Sequence, residues 1–181
     1  KAAISNDKAS ELGFQDDYQA VFSTGKGLNE DIIRQISAKK NEPQWMLDYR
    51  LQAYQTYLRM PMHTWGPDLS EIHFEDIYYY NKPTNDKYRD WDDVPAELKE
   101  TFERLGVPEA ERKWLAGSSA QYESEVVYHR MKEEFAKTGI IFTDTDTAVQ
   151  EYPELIQEYF GSLVKPTNNK LAALNSAVWL V

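Results

Sequence analysis

The chain contains no cysteine. That absence excludes disulfides, thiolate catalysis and any cluster ligated by its own sulfurs, and it fits a reducing compartment. Positive charge is also short, with 20 Lys and Arg against 30 Asp and Glu for a net charge of −10. No basic stripe offsets this balance, so the field repels phosphate backbones and nucleic acid is not an expected partner. No apolar run approaches the ~20 residues that a membrane-spanning helix needs. A basic-then-apolar leader is absent too, which sets a cytoplasmic location as the expectation. Lys1 is not an initiator methionine, and the apolar finish Ala177-Val178-Trp179-Leu180-Val181 is unusual for a whole domain. Both ends are therefore expected to be cuts in something longer.

What is present is a foldable chain of 181 residues, 41% hydrophobic and 13% aromatic. A chain of this length can bury roughly 70% of its unfolded surface, so a real core is expected. Residues 1–27 read as a polar arm, broken by Gly13, Gly25 and Gly27, whose Phe14, Tyr18 and Phe22 dock on a core formed elsewhere. Leu28-Asn29-Glu30-Asp31 is a helix start. Asn29 caps, the acids complement the positive helix end, and Leu28 staples against Ile33. Ile32, Ile33 and Ile36 form the apolar stripe, and Lys39 and Lys40 fall in the last turn.

Pro43 restarts the chain into a helix running to about Met60, with Met46, Tyr49, Ala53 and Tyr57 on one face and Trp45, Tyr54 and Leu58 widening it. Trp45 and Tyr49 are expected to hold this helix in the core. Residues 68–93 read as an extended surface segment. Helices are expected from Pro95 to Gly106, from Pro108 to Leu115, and from the capping box Ser118-x-x-Gln121 to about Lys137. Ile140-Ile141-Phe142 has the composition of a brief strand. Short helices follow at Thr145–Glu151 and Pro153–Phe160, and an Ala- and Leu-rich segment closes the chain. The predicted fold is mainly α, a small helical module with short β or extended segments. Its expected divisions are an N-terminal arm at 1–27, a helical domain at 28–166 and the start of a further domain at 167–181.

Few residues suggest chemistry. Glu125 and His129 lie four apart and would share a face of the predicted helix, as two metal ligands do, but no third ligand has matching spacing. His63 sits in a turn beside Pro61 and Trp65, where packing explains it. Asp90, Asp92 and Asp93 flank Trp91, and Asp144 and Asp146 alternate with threonines. Paired acids near an aromatic ring are what a glycosidase uses, yet Asp92 or Asp93 precedes a Pro-initiated helix and Asp144 and Asp146 precede another, where capping and the helix dipole explain them. Gly25-Lys26-Gly27 lacks the spacing of a phosphate-binding loop. Tyr78-Tyr79-Tyr80 cannot all point inward, so at least one should face solvent or a partner. No catalytic, cofactor-binding or metal-ligating residue is assigned from these patterns.

A family resemblance is carried by ordered segments along almost the whole chain. They are Phe22-Ser-Thr-Gly-Lys-Gly-Leu28, Ile36-Ser37, Asn41-Glu-Pro-Gln-Trp-Met-Leu47 with Arg50-Leu51, Pro61-Met62 and Trp65-Gly66. Further on come Leu115-Ala-Gly117, Ala120-Gln-Tyr-Glu-Ser-Glu-Val-Val-Tyr-His129, Gly139-Ile-Ile-Phe142 and Lys170-Leu-Ala-Ala-Leu-Asn-Ser-Ala-Val-Trp179. In these the chain resembles the N-terminal region of SufB, the iron–sulfur cluster assembly scaffold of the SufB/SufD family, in its Gram-positive type. The resemblance implies a helical region leading into a β-helix core that this chain does not contain. It also implies a non-enzymatic role in a complex with a SufC-type ATPase and a SufD-type paralogue, with a cysteine desulfurase system as the sulfur source. A cluster is expected on the full-length protein and not on this segment. The alternative from composition alone is a carbohydrate-active enzyme using the Asp and Trp residues.

Overall fold

The computed structural model describes residues 19–104 and 117–179. The helix expected at 108–115, most of the N-terminal arm and the last two residues lie outside that range. The elements in chain order are β1 (Phe22–Ser23), α1 (Glu30–Lys39), α2 (Gln44–Arg59), β2 (Asn81–Lys82), α3 (Ala96–Arg104), β3 (Gly117–Tyr122), β4 (Glu125–Met131), α4 (Glu133–Ala136), α5 (Thr145–Glu151), α6 (Pro153–Tyr159) and α7 (Lys170–Val178). Single 3₁₀ turns occupy Phe74–Asp76 and Trp91–Asp93. The fold is mainly α, with two small antiparallel sheets, β1–β2 and β3–β4.

α1 begins as its sequence dictates. Asn29 Oδ1 accepts from the Ile32 amide at 2.9 Å, leaving Glu30 and Asp31 in the first turn where the helix end is positive. Its stripe of Ile32, Ile33 and Ile36 is buried, and Leu28 packs against it. α2 lies against α1 through Ala53 and Tyr54, and the Tyr54 hydroxyl donates to the Leu28 carbonyl at 3.1 Å. α7 runs antiparallel to α2 and inserts Ala177 into the same cluster. Small residues on α7 allow this: Ala173 and Ala177 are fully buried, so the two backbones approach closely. Trp45 is only half-buried on the first turn of α2, so the expectation that it anchors the core is corrected. Met46, Arg50, Ala53 and Tyr54 form the buried face instead.

A second packing centre forms where Phe22, from the strand paired with β2, meets Ile32, Ile36 and Tyr80. Phe22 and Tyr80 ring centroids are 6.0 Å apart. Of the three consecutive tyrosines, Tyr79 and Tyr80 are buried and Tyr78 is 51% exposed, so one of them faces outward as expected, although Tyr78 and Tyr80 do not follow a simple alternation of faces.

The helix expected from Ser118 to Lys137 is not formed. Residues 117–131 make a β-hairpin, with Gly117 opposite Met131, Tyr122 opposite Glu125 and a bulge at Ala120/Gln121. Glu123 takes the turn with φ 53°, and the buried Ser124 beside it docks on β2, its Oγ accepting from the Asn81 amide at 3.0 Å. The reason is the run Glu125-Val126-Val127-Tyr128, in which all four residues are buried. A helix shows one stripe to the core, whereas a strand covered on both sides buries consecutive residues. Tyr88 continues the pairing by accepting from the His129 amide at 3.0 Å and donating to the Val127 carbonyl at 2.8 Å. Ile140, Ile141 and Phe142 form no strand. They lie in a loop and are 40–51% exposed, with Phe142 covering the bare Cα of Gly117.

Candidate functional site

Two buried cations organise the described part of the molecule, and each sits in phase with an apolar stripe. Arg50 is fully buried on α2, one turn beyond Met46. Its guanidinium grips Glu42 with two hydrogen bonds, Nε to Oε2 at 2.8 Å and Nη2 to Oε1 at 2.6 Å. The same fork donates to the carbonyls of Ala177 at 3.1 Å and Trp179 at 2.6 Å. A cation at the negative end of α7 satisfies carbonyls that the helix leaves open. α7 returns the favour: Lys170, at its start, donates to the Tyr57 and Met60 carbonyls at the end of α2, at 2.9 and 2.8 Å. Each helix thus caps the other's C-terminus.

The second group is Lys40, whose side chain is 1% exposed. Its ammonium lies 2.5 Å from Asp146 on α5 and 3.7 Å from Glu125 on β4. Glu125 in turn accepts from the Tyr80 hydroxyl at 2.5 Å. Four segments distant in sequence therefore meet at one cation, two carboxylates and a phenol. Burial and the Glu125 hydrogen bond push the Tyr80 hydroxyl far above its ordinary pKa, so it stays a donor. Burial raises the Asp146 carboxyl, with Lys40 opposing the shift. Two residues earlier Asp144 moves the other way. Burial works against its charge, but hydrogen bonds from the Thr147 amide and hydroxyl, together with Lys87, hold it below the usual aspartate range. Chemically the cluster is a clamp. It holds no nucleophile, and its groups are engaged with one another.

The residues singled out by sequence divide clearly. Glu125 belongs to the clamp, but His129 does not join it, because on a strand residues four apart are separated by roughly 13 Å. His129 stacks on Phe142 with centroids 5.0 Å apart, and its Nδ1 is buried without a partner. No cluster of three metal-ligating side chains occurs among the described residues. Asp90 caps the turn at Trp91–Asp93, accepting from the Asp92 amide at 3.1 Å, and Asp144 caps α5. Trp91 packs edge-on against Tyr128 and beside Phe102 and is no open platform. His63 stacks on the exposed Trp65 at 4.3 Å. Gly25-Lys26-Gly27 bends through two positive φ angles and pairs with the segment at Ile77 and Tyr78. Sequence reasoning missed Arg50 and Lys40. The available signal was a charge in phase with an apolar stripe, Arg50 after Met46 and Lys40 after Ile36.

A further feature is an apolar groove between α2, the turn after α6 and the end of α7. Tyr49, Phe160 and Trp179 form its wall as successive edge-to-face contacts at 5.1 and 4.9 Å.

No protein-family model matches the chain. Over 167 residues, or 92% of this chain, it is 58% identical to an iron–sulfur cluster assembly SufBD family protein of Staphylococcus aureus (strain USA300). The relatives carry the SufBD family name. A second, from Staphylococcus haemolyticus (strain JCSC1435), is 57% identical over the same length. The chain spans 36% of the length of either of these SufBD relatives.

Proposed function

We propose that this chain is the N-terminal helical region of a SufB-like scaffold subunit for iron–sulfur cluster assembly, with a structural and protein-interaction role and no catalysis of its own. The observation that carries the reading is the 58% identity to SufBD family proteins over 92% of the chain. The structure supports a structural role, because its buried polar groups are spent on joining segments. Arg50 and Lys40 fix helices to one another and to the hairpin. Partners on this reading are a SufC-type ATPase and a SufD-type paralogue, with a cysteine desulfurase system delivering sulfur. The cluster resides on the full-length protein in the cytoplasm, and this segment holds none. A carbohydrate-active role draws no support from Asp90 and Asp144, whose oxygens serve as caps.

The test is exchange of the segment in cells. A full-length SufBD protein whose matching region is replaced by this chain should restore cluster-dependent enzyme activity in a strain lacking its own copy, and should co-purify with the SufC-type ATPase. A well-folded exchange protein that restores nothing sinks the proposal. So does turnover of model glycosides by this chain that Asp90→Asn or Asp92→Asn abolishes.

A further inference from the structure

Most of this molecule's surface is charged or mixed, as a chain with 28% charged residues must be. The groove walled by Tyr49, Phe160 and Trp179 is different. Its volume is about 410 Å³, and none of its ten lining residues carries a charge. Its rim holds Leu163, the most exposed large apolar side chain of the described residues at 92%, together with Val164 at 62% and Tyr159 at 60%. Gly161, at φ 68°, makes the turn that aims them outward, and a Cβ there would strike the Tyr49 hydroxyl. The Trp179 ring completes the wall of the groove, with its indole N–H buried within the chain.

The cleft beside the hairpin gives the contrast. There Ile140, Ile141 and Phe142 are also exposed, but Lys87, Arg89, Arg130, Glu133 and Glu151 line the same space. Charged groups at a surface are compatible with water and with short-lived partners. Permanent interfaces lose their charges and resemble a core cut in two. A charge-free groove rimmed by projecting Leu and Val is of the permanent kind.

The SufBD relatives carry nearly two thirds of their length outside the matched region. We infer that the groove is a permanent intramolecular seat, filled by an apolar polypeptide surface from the remainder of a SufBD family protein. This inference rests on the family reading above.

The experiment uses a full-length SufBD protein carrying this chain as its matching region. Backbone hydrogen–deuterium exchange is followed in three forms: unsubstituted, Leu163→Asp with Val164→Asp, and Leu58→Asp as a control at an exposed apolar position outside the groove. In the unsubstituted protein the amides of 159–164 should be protected although their side chains are open to solvent in the structure described here. The double variant should speed their exchange about tenfold or more, and the control should not. Unprotected amides in the full-length protein, or equal behaviour of the two variants, overturns the inference. Protection that appears only with rising protein concentration overturns it too, since a second copy would then be the occupant. The two readings fail separately. Restored cluster assembly with an unprotected groove removes only the docking seat, whereas a protected groove without restored assembly removes only the assembly role.

Discussion

The helical frame of α1, α2 and α7 and the hairpin β3–β4 are built on opposite principles. In the frame, local pattern and final structure agree on where α1 starts and which stripe it buries, with Trp45 and Arg50 of α2 as exceptions. Asn29 caps α1, the isoleucine stripe is buried, and Ala173 and Ala177 let α7 close on α2. In the hairpin they conflict. Ser118-x-x-Gln121 spells a helix start, yet the segment is extended because Val126, Val127 and Tyr128 are covered on both sides by distant residues. Short-range patterns predict what short-range energies decide. Where burial comes from Tyr80, Tyr88, Trp91 and Lys40, local preference is overruled.

The largest expected effect breaks the frame. Arg50→Met leaves Glu42 buried at 3% side-chain exposure without its cation and uncaps α7. It should cost about 3–5 kcal/mol in denaturant unfolding, and a loss below about 1 kcal/mol would show that the reciprocal capping is incidental. In the hairpin, Val127→Ala removes two fully buried methyls and should cost about 1–3 kcal/mol. An unchanged midpoint would mean that β4 is not packed as described. Asn29→Ala should cost about 1 kcal/mol by removing the α1 cap. Glu123→Gly should do the reverse and stabilise by roughly 0.5 kcal/mol, because a non-glycine residue stands at positive φ there. A glycine that destabilises at this turn would contradict the hairpin geometry.

The finest comparison is between two acids on one helix. Asp144 has a lowered pKa, so its contribution is present above the unfolded aspartate value and is lost as pH falls through the folded one. Asp146 has a raised pKa, so its contribution is present below the unfolded value and is lost as pH rises through the folded one. The stability deficit of Asp144→Asn should therefore shrink on acidification. That of Asp146→Asn should grow. Parallel slopes in thermal melts across the acid range would refute the assignment of Asp146 to a desolvating environment.

The candidate site was legible only in fragments. Of the acids read as caps, Asp144 caps α5 as expected, whereas at Trp91–Asp93 the capping carboxylate is Asp90 and not the expected Asp92 or Asp93. Asp146 carries a different role, since its partner Lys40 is supplied from far along the chain. Glu125 and His129 were paired on the premise of a helix, and the strand sets them apart. Arg50 and Lys40 stood in phase with apolar stripes, but phase alone names no partner.

By itself the sequence determined a mainly α chain, the starts of α1 and α5, the paired short helices after Asp144 and the outward facing of at least one of three consecutive tyrosines. These follow from capping bonds, proline placement and helical or extended periodicity, all of which act within a few residues. Tertiary structure alone decided that 117–131 pairs as strands, that Lys40 draws Glu125 and Asp146 together, and that Arg50 caps a helix far from it in sequence. Those outcomes depend on burial, and burial is set by whichever distant residues arrive to cover a segment.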